Sequence, residues 1–211
     1  LWTGNIGNAS AGGDLLKECF SNMSVSTDGG KSFELRIGPD VKDRSYDEHM
    51  FVELKDERVW CLVRTHYGIG QSFSDDWGKT WHDTGDSGLG GPSSRFFIRR
   101  LASGRLLLIN HAVNEEGKYS RCNLTAYLSE DDGKTWPYSI MLDEREMVSY
   151  PDGKQDEDGN IWIIYDFNRY GAGDILFAKF TEDDVIAGKV VSEGSKLKQL
   201  INRTGGVKDK K

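Results

Sequence analysis

The sequence predicts an all-β chain built from repeated antiparallel sheets. One short pattern occurs three times, beginning at Ser26, Ser74 and Ser129, so that the copies start 48 and 55 residues apart. Strand-like runs rich in β-branched and aromatic residues lie between the copies. A period near fifty residues is typical of stacked four-stranded blades, and we therefore expect a β-propeller or a portion of one.

The repeated pattern has the chemistry of a tight hairpin turn. Its second copy reads Ser74-Asp-Asp76-Trp-Gly78-Lys-Thr80-Trp81. Hydroxyl and carboxylate oxygens can accept hydrogen bonds from backbone N–H groups of the turn, and glycine permits a positive φ. The closing aromatic ring can pack back on the sheet. The pattern resembles the Asp box, and we expect its residues to fold their own turn and to take no part in catalysis.

Strand-like segments divide the chain into four repeats. The predicted repeats span residues 1–45, 46–90, 91–145 and 146–190, all within a propeller portion at 1–200 that is followed by a tail at 201–211. The predicted strands are 19–26 and 32–37, then 50–54, 59–64 and 70–74, then 95–101, 105–110 and 122–129, and finally 148–152, 161–165 and 174–180. In the fourth repeat, residues 181–188 replace the Asp box and predict a short helical turn with Thr181 at its N-cap.

The length indicates an incomplete propeller. At about fifty residues a blade, the 211 residues hold about four blades, and the chain begins with Leu1. Roughly 25 residues precede the first Asp box, which is too few for three strands and their loops. We expect a chain that is truncated at its N-terminus.

Composition excludes several classes of partner. The formal net charge is −7 and no basic stripe is present, which argues against nucleic acid, because phosphate binding needs concentrated positive charge. No apolar run is long enough to span a membrane.

The three cysteines lie far apart and predict small buried hydrophobic side chains, while the four histidines have no metal-ligand spacing. We expect no metal and no cofactor.

Topology predicts where a site would lie. In a propeller blade the first strand lines the channel and the chain then meanders outward, so the start of strand 1, the end of strand 2 and the start of strand 3 share one face. The Asp boxes occupy the opposite face. Four chemically suitable residues satisfy this filter: Glu48, Arg64, Arg121 and Tyr150. Two guanidiniums with a carboxylate and a phenol favour a small ligand that carries a carboxylate, and we expect the four to share one pocket.

The same residues resemble the sialidase family. Segments 48–54, 63–64, 120–128 and 149–152 follow the order of that family's glutamate, second arginine, third arginine and nucleophilic tyrosine. The resemblance covers most of the chain. It implies a six-bladed propeller of sialidase type, of which this chain holds the C-terminal four blades or so.

The resemblance also implies a reaction, the retaining removal of terminal sialic acid from glycoconjugates by an exo-α-sialidase. Tyr150 would attack the anomeric carbon, a nucleophile that sets sialidases apart from most glycosidases. Glu48 would take the phenolic proton, because a free phenol ionises only near pH ~10 and is a poor nucleophile at neutral pH. Arg64 and Arg121 would bind the substrate carboxylate.

Two members of the family's site match no residue of this sequence. They are the first arginine and the aspartate acid/base, both of which the resemblance places in the opening blade. Pro151 stands where the family more usually has serine. Two alternatives stay open: a non-catalytic glycan-binding propeller that keeps the arginines, and a hydrolase of another acidic sugar.

Overall fold

The computed structural model describes residues 21–204, and nearly all of their regular structure is β. The chain divides into two compact units on either side of the Ser93–Ser94 bond. No helix among the described residues is long and apolar enough to cross a membrane. The all-β prediction is therefore confirmed for this part of the chain.

The first unit contains a two-stranded sheet and a four-stranded meander. The two-stranded antiparallel sheet consists of β1 (Asn22–Val25) and β2 (Glu34–Ile37). The meander consists of β3 (Arg44–Glu53), β4 (Val59–Thr65), β5 (Ile69–Ser74) and β6 (His82–Asp86), each hydrogen bonded to the next. The prediction for residues 19 and 20 falls outside the described residues.

The second unit contains two further meanders. One consists of β7 (Phe97–Arg100), β8 (Leu106–Val113), β9 (Tyr119–Ser129) and β10 (Tyr138–Asp143). The other consists of β11 (Val148–Gln155), β12 (Ile161–Phe167), β13 (Asp174–Phe180) and β14 (Lys196–Arg203), with the helix α1 (Glu182–Ala187) between its last two strands. Within this unit β11 packs against β7 and β9 of the neighbouring sheet.

The three Asp boxes form turns whose serine and aspartate side chains make local hydrogen bonds. In each box the serine Oγ accepts from the glycine N–H four residues later, at 2.7 to 2.8 Å. The aspartate accepts from the backbone N–H and from the hydroxyl of the closing Ser or Thr. These hydrogen bonds lower the pKa of Asp28 and of Asp131 to about 2. The boxes therefore use their chemistry in folding their own turns.

The place of the missing fourth box is taken by α1. Thr181 is its N-cap and forms a capping box with Asp184, and Gly188 ends the helix in the left-handed conformation with φ 68°. This is the helical turn that the sequence predicts. The Asp184 carboxylate also accepts from Val191 N and Ser192 N, at 2.6 and 2.7 Å. The helix therefore anchors the segment that leads into β14.

One strand extends beyond its predicted limits, and another forms where no strand was predicted. The strand β3 begins at Arg44 instead of residue 50, so Glu48 lies inside the strand and not before it. The strand β14 reaches Arg203, which carries the fourth sheet past residue 190 and into the predicted tail. Both segments are rich in polar and charged residues. The strand β14 is an outer strand with most positions exposed, and the polar part of β3 coincides with a register shift in its pairing with β4.

Burial differs between equivalent strands. The strand β4 is buried at all seven positions, whereas β12 alternates between buried and exposed ones. The outward residues of β12 are nevertheless apolar, with Trp162 37% and Ile164 43% exposed. They line an apolar cavity of about 400 Å³ together with Phe177 and Ile201. One face of the fourth sheet is therefore apolar and open.

Cys61 and Cys122 are free and buried, as the sequence predicts, while Cys19 lies outside the described residues. Burial raises the pKa of the Cys61 thiol. A buried neutral thiol is a small packing group and a poor nucleophile.

Candidate functional site

The first pair of predicted site residues lies in the first unit. Regular pairing between β3 and β4 resumes at His49 opposite Val63, so Glu48 and Arg64 project from adjacent strands beside this point. Arg64 Nη1 donates to Glu48 Oε2 at 2.8 Å. The sheet register thus places a carboxylate and a guanidinium in direct contact.

The Arg64 guanidinium is held on several sides. Its Nε donates to Ser93 Oγ at 3.3 Å and its Nη2 donates to Ser93 O at 2.8 Å. Its central carbon lies 4.8 Å from the centroid of the Tyr46 ring. The residue is only 3% exposed. These partners offset part of the cost of removing the cation from water, and together they hold the guanidinium in one position.

The second pair lies in the second unit, around Tyr150. This residue is the third of β11, and pairing with β12 is interrupted between Ser149 and Asp152. Tyr150 has φ 57°, which is uncommon for a bulky side chain. Pro151 lies within the irregularity, where its missing N–H breaks no regular ladder bond. The bulge re-aims the tyrosine side chain, a geometry that is frequent beside active sites.

Two guanidiniums flank the Tyr150 ring. The central carbon of Arg169 lies 3.9 Å from the ring centroid, and that of Arg121 lies 5.5 Å from it. Arg169 is in turn paired with Asp166, which accepts from its Nε at 2.9 Å and from its Nη2. Burial lowers the pKa of Arg169, but hydrogen bonds to Asp166 and Tyr150 outweigh this and raise it. The phenol ring therefore contacts two guanidiniums, and the charge of the nearer one is partly offset by the Asp166 carboxylate.

A buried histidine lies close to Arg121. His111 is 1% exposed, and its Nδ1 lies 3.0 Å from the Cys122 carbonyl oxygen. Burial, with a further contribution from the charge of Arg121, lowers the pKa of His111 to about 4. The imidazole is neutral at physiological pH, so it adds no positive charge behind the arginine.

The sequence filter missed several residues of these clusters. Asp166 is the sixth residue of the seven-residue strand β12, the position that Arg64 occupies in β4, so the end-of-strand rule marks its place. Arg169 lies in the loop two residues after β12, beyond that position. Tyr46 carried no such signal, because its role depends on the irregular start of β3 and on an unusual backbone conformation.

The structure thus groups the four predicted residues into two pairs. Glu48 and Arg64 contact each other in the first unit, and Arg121 lies against Tyr150 in the second. A common pocket for all four stays a prediction. Among residues 21–204, no group of three or more His, Cys, Asp and Glu side chains is arranged to hold a metal ion.

Repeated four-stranded meanders with Asp-box turns define a β-rich repeat protein of the Asp-box class. The chain belongs to the BNR repeat-like domain family, which it matches over residues 4–163. No curated protein matches the sequence significantly.

Solved structures show the same fold at low identity. The intramolecular trans-sialidase from Ruminococcus gnavus, in complex with oseltamivir carboxylate, is 18% identical over 79% of this chain and 39% of its own, with a TM-score of 0.60. The leech intramolecular trans-sialidase, complexed with 2,7-anhydro-Neu5Ac, is 19% identical over 79% and 28%, with a TM-score of 0.61. A Hadza microbial sialidase is 21% identical over 69% and 29%, with a TM-score of 0.54. The chain spans less than half the length of each.

Proposed function

We propose that this chain contributes the glutamate, tyrosine and two arginines of an exo-α-sialidase-type glycoside hydrolase that removes terminal sialic acid with retention. The observation that carries the proposal is Tyr150, a bulged residue with φ 57° whose ring lies against Arg121 and Arg169. A phenol beside two guanidiniums is suited to act as a nucleophile, because the cations stabilise the negative charge that develops on its oxygen as the proton leaves.

In the proposed reaction the Tyr150 oxygen forms a bond to the anomeric carbon as the glycosidic C–O bond breaks. The phenolic proton passes to the Glu48 carboxylate. The leaving oxygen takes its proton from the aspartate acid that the resemblance requires and that matches no residue of this sequence. In the second step water attacks the anomeric carbon and gives its proton to the same aspartate, while the bond from that carbon to the Tyr150 oxygen breaks and the phenolate regains its proton from Glu48. Two inversions give overall retention.

The arginines bind the substrate carboxylate in this proposal. Arg121 offers a planar fork that matches a carboxylate. Arg64 already donates to Glu48 and Ser93, so it contributes mainly fixed positive charge. A neutral phenol is also better placed than a carboxylate to approach the anionic sugar, because two negative charges at close range repel each other.

The test is release of sialic acid from a fluorogenic α-sialoside by the full gene product that contains this chain. Tyr150→Phe should lower kcat by at least about a hundredfold, because it removes the nucleophile. Tyr170→Phe is the matched control, since Tyr170 is 83% exposed and lies in the loop after β12. An undiminished rate in Tyr150→Phe rejects the proposal.

A non-catalytic glycan-binding role is the second candidate, and the engagement of Glu48 by Arg64 favours it, because that carboxylate already has a partner. In that case sialyllactose would bind, Arg121→Gln would weaken binding, and no sialic acid would be released. Uronic acid glycosides in the same assay test the remaining alternative, a hydrolase of another acidic sugar.

A further inference from the structure

We infer that Arg169 is a positioning residue for Tyr150: its guanidinium stacks on the phenol ring and holds the ring in place. The inference rests on the proposed function in one respect, since that proposal makes Tyr150 the nucleophile. The contact itself can be tested without any turnover.

The geometry of the contact is close. A guanidinium carbon 3.9 Å from the Tyr150 ring centroid is well inside the range of a cation–π interaction, and Arg121 lies farther away at 5.5 Å. The Arg169 guanidinium therefore makes the nearer of the two cation–π contacts with the Tyr150 ring.

Arg169 is itself held by a short chain of contacts. Asp166 accepts from two of its nitrogens, and the other Asp166 oxygen accepts from Ser149 Oγ at 2.7 Å. Ser149 is paired with Asp166 across the β11–β12 ladder and directly precedes Tyr150. The four residues close a ring of contacts, so the position of the guanidinium is tied to the strand that carries the phenol.

The start of the loop is fastened as well. Asn168 N donates to Met147 O at 2.9 Å, and the N–H groups of Gly171 and Gly173 both donate to Asn168 O at 2.9 Å. Residue 168 is thus attached to the residue that precedes β11. A loop fixed at this point holds Arg169 in place without a ligand, as pre-organised sites require.

The chemical consequence concerns the reactivity of the phenol oxygen. A guanidinium stacked on the ring attracts its electron-rich face and so limits the rotation of the Tyr150 side chain. A clamped ring also has fewer orientations in which the oxygen faces away from an incoming electrophile. Removing the guanidinium should therefore slow the reaction of Tyr150 with any small electrophile.

The chain offers a matched control in Arg145. Its guanidinium carbon lies 4.0 Å from the Phe167 ring centroid, and it forms an ion pair with Asp143 at 2.5 Å. Arg145→Gln therefore removes a similar ion pair and a similar stacking contact without touching Tyr150. Tyr119 is the reference phenol, since it is 45% exposed and belongs to the other sheet of the unit.

The experiment is O-acetylation by N-acetylimidazole, with the rate at each tyrosine read by peptide mass spectrometry. We expect Arg169→Gln to slow acetylation of Tyr150 about fivefold relative to Tyr119, the size of effect expected for one partly exposed cation–π contact. Arg169→Lys, which keeps the charge, should recover part of the rate, and Arg145→Gln should leave it unchanged. Circular dichroism of each variant checks the fold.

An equal or faster rate at Tyr150 in Arg169→Gln would overturn the inference, because the guanidinium would then only shield the ring. An equal loss in Arg145→Gln would overturn it too, since the effect would be global. Failure of the sialidase proposal would show separately, as an unaffected turnover in Tyr150→Phe. The two results can therefore be told apart.

Discussion

The carboxylate of Glu48 and the guanidinium of Arg64 form an ion pair with an N–O distance of 2.8 Å, and their side chains are 22% and 4% exposed. Arg95 and Asp152 form a pair of the same length on the surface of the second unit, with side chains 36% and 52% exposed. Because the two ion pairs have the same length but differ in exposure, a comparison of the two measures how burial changes the contribution of an ion pair to the free energy of unfolding.

We predict that Arg64→Met destabilises the fold by about 3 kcal/mol, because it leaves a partly buried carboxylate without its partner. Glu48→Gln should cost less, and the double variant should cost less than the sum, with a coupling of about 1 to 3 kcal/mol. Urea unfolding measures all three. Arg95→Gln should change the unfolding free energy by less than about 1 kcal/mol. Additive effects of Arg64→Met and Glu48→Gln would contradict the prediction.

Stability should fall at mildly acidic pH because of His111. Burial lowers its pKa from 6.5 to about 4, so between these values the unfolded chain binds a proton that the folded chain does not. The contribution of His111 to the free energy of unfolding is therefore fully present above pH 6.5. It is lost progressively towards pH 4, by about 3 kcal/mol in all. Thermal unfolding across this range measures the loss. His111→Gln should flatten the curve, and an equally steep curve would exclude the histidine as its cause.

We predict that Asp184→Asn destabilises the fold by about 3 kcal/mol. The backbone N–H groups that now donate to the carboxylate would face the NH₂ group of the amide, which is itself a donor. Hydrogen bonds from Ser195 and from the backbone outweigh the effect of burial and lower the pKa of Asp184 to about 2. Its contribution is thus present above about pH 4 and lost as pH falls through the folded value.

Asp183 provides the control for this substitution, because it occupies the same first turn of α1 but is exposed. Asp183→Asn should cost only a few tenths of a kcal/mol, through the helix dipole. Equal losses in the two variants, measured by urea unfolding, would show that the carboxylate contacts of Asp184 add nothing.

We predict that Gly153→Ala destabilises the fourth sheet. A Cβ at this position would lie 2.1 Å from the Trp162 carbonyl oxygen, so the backbone of β11 or β12 would have to move. Overpacking of this kind costs about 1 to 3 kcal/mol. Gly85→Ala is the control, because a Cβ there meets nothing within 4 Å. An unchanged melting temperature in Gly153→Ala would contradict the prediction, because β11 and β12 would then have made room for the methyl group at no cost.

The predicted fold rested on features whose chemistry is local. An Asp box closes its turn with contacts no more than four residues apart, and Thr181 caps α1 through Asp184 three residues later. Such patterns can be recognised in a linear sequence because the residues that contact each other lie only a few positions apart along the chain. The polar segments of β3 and β14 could not be recognised, since their many polar and charged residues obscure the apolar pattern by which strands are predicted.

The sequence by itself determined the β-rich repeat, its turns, the capped helix and the choice of Glu48, Arg64, Arg121 and Tyr150 as candidate residues. Only the tertiary structure decided that Arg64 is buried against Glu48 and Ser93, and that the Arg169 guanidinium lies over the Tyr150 ring. The physical reason is that strand register and a bulge bring these side chains together, and neither is encoded by residues adjacent in sequence.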